Sequence, residues 1–443
     1  MASYGYFWGC YIQGRLPHLE LSTRAVMARL GFQVRDLEGL SCCPEKGLIR
    51  VMSERGWLLA AARNLALAEQ AGVDLVTPCT GCFGTLKGAA RQLASSPELK
   101  AEVNRALGEV GRQLLGRQRV YHVVDLLYQE LGPDGIGRQV VRPLAGMRVA
   151  VHYGCHLIRP SWDLALDDPF RPRKLDELVE ALGAISITYE TKLLCCGNLL
   201  LRAGDEAGSH ALARQKLSEV SGQQADAIVV VCPSCTMQFD NLQFLLQRRG
   251  ESFAVPVFYY TEMLGLALGM TPEELGLAHH RVDVGPFLEK WRGGLARVEK
   301  VQAHWDYRLL RRCAECGACA ADCPVVRADP DWDPNALIRQ LAEGELEAVL
   351  GSAEVWKCLD CYSCSELCFQ RYSMQEIFRV AKHLAVEAGR VPAPVREGMQ
   401  AFQQRGRLTE SAAGQRRRLG LPELALGGGD ELRRLLAEGG EDG

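Results

Sequence analysis

The sequence predicts an α/β protein: two duplicated parallel-sheet lobes followed by a mainly α-helical, cysteine-rich domain. Three observations predict it: a doubled cysteine pattern, short β-branched runs alternating with helical stretches, and two compact cysteine motifs near the end. The first ten of the 18 cysteines form two quintets, Cys10, Cys42, Cys43, Cys79, Cys82 and Cys155, Cys195, Cys196, Cys232, Cys235. Each reads as a single Cys, a Cys-Cys pair and a CxxC, with 35 residues between pair and CxxC in both. Four of the five positions repeat at an offset of 153 residues. Self-similarity at a fixed period marks an internal duplication.

The first lobe is assigned to residues 1–143. YGYFWGC, QVRDLEGLSCC and VDLVTPC each run an apolar or β-branched stretch into cysteine, as a strand entering a loop does. WLLAAARNLALAEQAG between them has helical character. The second lobe, 144–285, repeats the series with MRVAVHYGC, ISITYETKLLCC and ADAIVVVC, with HALARQKLSEVSGQQ as a helix. It closes on VPVFYYTEMLGLALGM, a strand passing into a helix. Strand and helix in alternation imply parallel sheets with helices on both faces. Ligands then gather beyond the carboxyl ends of the strands, where Cys10, Cys79, Cys155 and Cys232 fall. Two pockets, facing one another about a pseudo-twofold axis, are the expected result.

Residues 286–305 read as a helical bridge, and 306–395 as the cysteine-rich domain. Its motifs, CAECGACAADCP and CLDCYSCSELC, are both CxxCxxCxxxC. Such spacing wraps three thiolates around one iron–sulfur cube and sends the fourth to its neighbour. Cys313, Cys316, Cys319 and Cys368 are assigned to one cubane, and Cys358, Cys361, Cys364 and Cys323 to the other. The segment between the motifs has helical apolar spacing. Residues 396–443 form a polar, Gly-rich C-terminal tail, its last stretch (427–443) mobile or marginally helical.

The bulk composition excludes other classes. The chain has 443 residues, 51 Lys plus Arg and 54 Asp plus Glu, a formal charge of -3. That is no field for wrapping nucleic acid. No apolar stretch reaches the roughly 20 residues of a membrane span. The start, MASYGYFWGCYIQGR, lacks the pattern of a secretory signal. Clustered thiols in such a chain fit metal ligation in a reducing cytosol better than disulfides.

The two fully ligated cubes suit one-electron relay. The quintets are less ordinary, because a cubane takes four thiolates and each lobe offers five. Either one thiol is a bystander or the cluster departs from a simple cube; zinc held by four of the five is the structural alternative. Iron with an open position accepts an outside sulfur. A disulfide cleaved between two such pockets, fed by two electrons, is the chemistry this suggests. His156, next to Cys155, could bond to sulfur or protonate a leaving thiolate, and is the candidate catalytic residue, a capped loop residue being the alternative. His152 reads first as a packed or sheet-face strand residue and second as a partner for sulfur. Arg159 and Lys192 are candidates for an anionic substrate, solvated surface being the alternative for both. Gly154, Gly81 and Gly197 read as backbone allowance beside bulky clusters.

These motifs resemble a known family. YFWGC, SCCP, TGCFGTL, HYGCH and CPSCTMQFD are similar to the B subunit of heterodisulfide reductase, with its duplicated CCG domains. Residues 306 to about 400 resemble its C subunit, a ferredoxin-like domain with two [4Fe-4S] clusters, so the chain looks like a B–C fusion. The resemblance implies that each quintet holds a noncubane [4Fe-4S] cluster through all five cysteines, besides the two cubanes. It implies electrons delivered by a flavin-containing A-type subunit or another electron-transfer oxidoreductase, and a small-molecule disulfide or thiol as substrate. It also implies a cytoplasmic location, with peripheral attachment to a membrane complex in some forms. A non-catalytic electron-transfer module serving a quinone-linked partner is the second reading. After Cys196 the chain reads GNLLLRAGD, where the family is often richer in glycine, so Leu199 and Leu200 are expected to reshape the second pocket.

Overall fold

The computed structural model describes residues 3–47, 49–251, 253–369, 371–409, 412–422 and 429–438. The chain divides into two compact units, Met1–Glu299 and Lys300–Gly443. The first unit contains two four-stranded sheets, parallel throughout. In one, β1 (Ser3–Tyr6), β2 (Gln33–Asp36), β3 (Asp74–Thr77) and β4 (Val120–His122) are ordered β2-β1-β3-β4. In the other, β5 (Arg148–His152), β6 (Ile185–Ser186), β7 (Ala227–Val230) and β8 (Val257–Tyr259) are ordered β6-β5-β7-β8. The registers correspond, with Gly5 opposite Leu75 and Ala150 opposite Ile228. The cysteine repeat is thus a repeat of topology.

Burial explains the sequence of each strand. Every residue of β7 is buried, as in a parallel strand covered on both faces, and its run AIVV is wholly apolar. β2 lies at an edge, is largely exposed, and carries Gln33, Arg35 and Asp36. β6 is shorter than ISITYE suggests. Its pairing ends because the Tyr189 hydroxyl takes the Val151 carbonyl (2.8 Å), where a further ladder N–H would otherwise bond. The stretch WLLAAARNLALAEQAG forms helix Glu54–Gln70, capped by Ser53 and burying Trp57, Leu58, Ala61, Ala62 and Leu65. Its counterpart, Glu206–Gly222, is capped by Asp205.

The strand order places the site. β1 and β3 are neighbours, and the chain leaves them toward opposite edges, to β2 and to β4. The crevice beyond their carboxyl ends is a topological switch point, and Cys10 and Cys79 enter there. Cys155 and Cys232 follow β5 and β7 in the same way. The lobes also exchange contacts reciprocally. Helix Gly9–Arg15 meets helix Pro233–Gln247, and helix Cys155–Ile158 meets helix Thr80–Ser95.

Helix Gly285–Gln302 occupies the stretch read as a bridge. The second unit is helical, with Tyr307–Cys316, Pro334–Ala342, Leu346–Gly351, Ser363–Leu367 and Met374–Glu387. Leu310, Ile338, Leu341, Val349, Ile377 and Phe378 form its core. Within the stretch read as a tail, helices Ala393–Arg405, Ala413–Arg418 and Gly429–Glu438 are described, and the first and last of these pack together. Residues 410–411, 423–428 and 439–443 of that stretch lie outside the described residues. Among the described residues, no helix is long and apolar enough to cross a membrane.

Candidate metal centres

The fold gathers each quintet from three strand ends. Cys79 is the extended N-cap residue of helix Thr80–Ser95, and Cys82 lies in its first turn. Cys232 and Cys235 repeat this on helix Pro233–Gln247, where Pro233 takes the first helical position. Four thiols therefore sit at helix N-termini, where unpaired N–H groups and the helix dipole favour anionic sulfur. Cys10 and Cys155 open the short helices after β1 and β5. Cys195 and Cys196 precede the left-handed Gly197, whose N–H points at Cys195 Sγ (3.5 Å).

The sulfurs form one continuous series. Cys10 lies 3.8 Å from Cys42. Cys42 then acts on the titration of Cys43, Cys43 on that of Cys82 and Cys82 on that of Cys79. Cys79 interacts across the lobe boundary with Cys232, and Cys232 with Cys235. The series continues through Cys196 and Cys195 to Cys155. Hydrogen bonds from Cys155 and Cys196 pull the pKa of Cys195 down to about 2. Those from Cys42 and Cys82 hold Cys43 well below the ordinary thiol range, and those from Cys235 and Cys79 do the same for Cys232. The donors are pushed up in return, Cys42 and Cys155 by those bonds with burial added. Ten converging sulfurs, six of them buried (Cys43, Cys79, Cys82, Cys196, Cys232 and Cys235), are a donor set suited to thiophilic metal centres.

Exposure differs along the series. Cys10 and Cys42 are exposed and line a cavity of about 360 Å³ with Trp8, Gln13, Arg24 and Asp36. Arg24 lies over the Trp8 ring at 4.6 Å and pairs with Asp36 at 2.6 Å. Cys155 and Cys195 are half-buried.

The residues around the thiols fall into two groups. His156 is half-buried beside Cys155, and burial, with Lys46 nearby, lowers its affinity for a proton. His152 is packed edge-on against Phe239, in keeping with a strand residue. It also places Nε2 3.3 Å from Cys235 Sγ, and burial drops its pKa to about 3. Arg159 and Lys192 are engaged within the protein. Arg159 donates to the Pro169 carbonyl at 3.1 and 3.2 Å, and Lys192 pairs with Asp176 at 2.6 Å. Gly154 and Gly197 have positive φ, +71° and +86°. Gly81 does not. It is the second residue of a helix, where a Cβ would meet only Cys79 Sγ at 3.8 Å, so its backbone needs no such allowance. Leu199 reaches the other lobe, against Gly47.

Four residues that sequence reading did not single out complete the surroundings. Lys46, beside the first Cys-Cys pair, reaches the second lobe: a Cβ on Gly84 would meet both its Nζ and the His156 carbonyl at 3.2 Å. Lys216 is fully buried, donates to the carbonyls of Thr191 and Lys192, and has its pKa lowered to about 7 by burial. His122 and Tyr259 end β4 and β8 at corresponding places. His122 Nε2 lies 2.9 Å from the Val231 carbonyl, and the Tyr259 hydroxyl donates to the Pro78 carbonyl. Each therefore holds the residue just before the other lobe's CxxC. Only the position of Lys46 beside SCCP offered a sequence signal.

In the second unit, burial pushes the pKa of Cys313 up to about 12 and that of Cys319 up to about 11. Cys313 feels Cys319, Cys368, Cys316 and Cys364, Cys319 feels Cys364, Cys368 and Cys316, and Cys364 feels Cys361 and Cys323, so thiols of the two motifs lie near one another. Backbone N–H groups of Gln375 and Tyr372 point at Cys364 (3.2 Å) and Cys368 (3.4 Å).

Residues 4–87 and 149–240 match the family described as a cysteine-rich domain, CCG, and 309–371 match a 4Fe-4S dicluster domain. The B subunit of the ferredoxin/F(420)H(2)-dependent CoB-CoM heterodisulfide reductase of Methanosarcina acetivorans is 39% identical over 292 residues, 66% of this chain and 97% of that protein. The 8-methylmenaquinol:fumarate reductase membrane anchor subunit of Wolinella succinogenes is 31% identical, over 63% of this chain and 97% of that protein. A protein of Archaeoglobus profundus, itself named for its likeness to the C subunit of heterodisulfide reductase, is 30% identical over 128 residues, 29% of this chain and 68% of that protein. A solved structure, a hypothetical protein from Helicobacter pylori, shares the fold with a TM-score of 0.53 and 16% identity, over 64% of this chain and 52% of that one. With paired CCG domains and a 4Fe-4S dicluster domain in one polypeptide, this chain belongs to the family of the heterodisulfide reductase B subunit, extended by a segment similar to the C subunit.

Proposed function

We propose that this chain is the iron–sulfur oxidoreductase subunit of a heterodisulfide reductase-like complex, reducing a disulfide or, in reverse, oxidising two thiols. The observation that carries the reading is the continuous series of ten sulfurs, with Cys79 and Cys232 meeting where the lobes join. Cys10, Cys42, Cys43, Cys79 and Cys82 would hold one noncubane [4Fe-4S] cluster, and Cys155, Cys195, Cys196, Cys232 and Cys235 the other. Cys313, Cys316, Cys319 and Cys368 would hold one cubane, and Cys358, Cys361, Cys364 and Cys323 the second. Such clusters supply one-electron storage and, at the noncubane sites, iron able to take an outside sulfur.

The chain's own residues do the rest. The helix N-terminus at Cys232 favours anionic sulfur, and Cys235, with Cys79 across the seam, lowers its affinity for a proton further. His152 orients Cys235, and His122 and Tyr259 hold the two CxxC turns at their common boundary. His156 and Lys46 stand beside Cys155, suited to delivering a proton and to attracting an anionic substrate. Arg159 and Lys192 act by shaping the second lobe, through Pro169 and Asp176. The disulfide takes up two electrons and two protons and leaves as two thiols. A flavin-containing A-type subunit or another oxidoreductase is the proposed electron partner, and the proposed location is cytoplasmic, peripheral where the complex adjoins a membrane.

The alternative is an electron-transfer module without its own substrate, and the similarity to the fumarate reductase subunit of Wolinella succinogenes favours it. The exposure of Cys10 and Cys42 in a cavity favours catalysis over a sealed relay. Anaerobic purification should yield roughly sixteen irons per chain with matching sulfide. Titrating the reduced protein with small disulfides should reoxidise it and change the paramagnetic signals of the quintet sites. A full iron complement with no response to any disulfide or thiol would favour the relay, and zinc in the quintets would overturn both readings.

A further inference from the structure

We infer that His18, Glu262 and His280 form a divalent-metal site of the zinc class that ties the two lobes together, separate from the cysteine pockets. His18 lies in helix Pro17–Arg29 of the first lobe, while Glu262 and His280 belong to the second. One ligand atom from each lies within 4.8 Å of the other two. His18 is 6% exposed, Glu262 fully buried, and the His280 side chain 1% exposed.

The donor geometry suits a metal. Glu262 Oε2 accepts from the Tyr259 N–H at 2.7 Å, and Oε1 lies 3.1 Å from His280 Nε2. That spacing is near the roughly 3.3 Å separating two ligands held 2.0–2.1 Å from a tetrahedral ion. The hydrogen bonds within the chain also leave a deficit. His18 Nε2 is buried with no partner. Buried orphans of this kind call for an ion or a water. Two imidazoles and a carboxylate are a zinc donor set, with the fourth position left to water.

The duplication supplies an internal control. Asp125 occupies the corresponding place after β4, the third residue of its helix as Glu262 is of its own. Asp125 is met by Lys87 at 3.9 Å and by Gln129 at 2.7 Å, and no imidazole joins it among the described residues. The two lobes thus place a carboxylate at the same position, and among the described residues only the second is joined by two histidines. Its partner on the first lobe sits on a close packing contact, since a Cβ on Gly276 would lie 3.0 Å from His18 Cβ.

The full chain, purified anaerobically with its iron, is supplemented with zinc chloride and dialysed. Metal analysis should then find about one zinc per chain, and X-ray absorption at the zinc edge should show nitrogen and oxygen neighbours near 2.0–2.1 Å. His18→Gln and His280→Gln should each weaken zinc retention beyond the roughly 10–100-fold that loss of a partner behind a ligand costs. Iron content and the cluster signals should stay unchanged, which separates this site from the proposed redox chemistry. Absence of zinc, sulfur among its neighbours, or equal retention by His18→Gln would overturn the site and leave a hydrogen-bonded His–Glu pair. Should His280→Gln fail to fold, His18→Gln and the wild-type spectrum decide.

Discussion

Gly9 shows how closely backbone and sulfur are fitted. Its φ is +73°, and a Cβ there would lie 2.8 Å from Cys82 Sγ. Gly154, its counterpart before Cys155, also has positive φ but would place a Cβ 3.9 Å from Cys235 Sγ. Gly9→Ala should therefore displace a thiol as well as strain the turn. We expect it to lose about four of roughly sixteen irons, with Gly154→Ala keeping its complement at reduced stability. Equal iron in the two purified variants would refute the fit at Gly9. The cysteines themselves were legible because thiol chemistry is rare and their spacing repeats. Their neighbours were not: Lys46 and His156 meet across lobes, and His152 looks like any strand residue until its ring is seen at Cys235.

At the scale of elements, alternating apolar runs and helical stretches revealed most strands, because parallel strands buried on both faces need continuous apolar sequence. β6 was overestimated, because a side-chain hydroxyl, invisible to pattern reading, takes over from its ladder. The reciprocal hold of β4 and β8 on the opposite CxxC was equally hidden, since it depends on how the lobes dock. Removing the hydroxyl in Tyr259→Phe leaves the Pro78 carbonyl short of a partner while the Tyr259 N–H still bonds Glu262. The expected loss is about 1–3 kcal/mol in urea unfolding. Because Pro78 precedes Cys79, the first lobe's paramagnetic signal should shift more than the second's. A change confined to the second lobe would contradict the crossed arrangement.

For the whole molecule, the sequence disclosed two lobes and a helical cysteine domain, since duplication and motif spacing survive without knowledge of packing. Helices Ala393–Arg405 and Ala413–Arg418 were not anticipated, because Gly, Arg and Glu content there resembles that of an unstructured end, whereas Gly429–Glu438 falls where a marginal helix was one of two readings. Division into two units predicts separable losses. Cys195→Ala should reduce iron from about sixteen to about twelve per chain and abolish response to disulfides. Dithionite should still reduce the clusters of the second unit, and loss of their signals would show that the units do not assemble iron independently.

Cys79 and Cys232 belong to different pockets, yet each acts on the other's titration across the seam. Oxidation of an iron-free chain could therefore join the two halves through these thiols, so reconstitution should give more iron from a fully reduced chain than from one exposed to air.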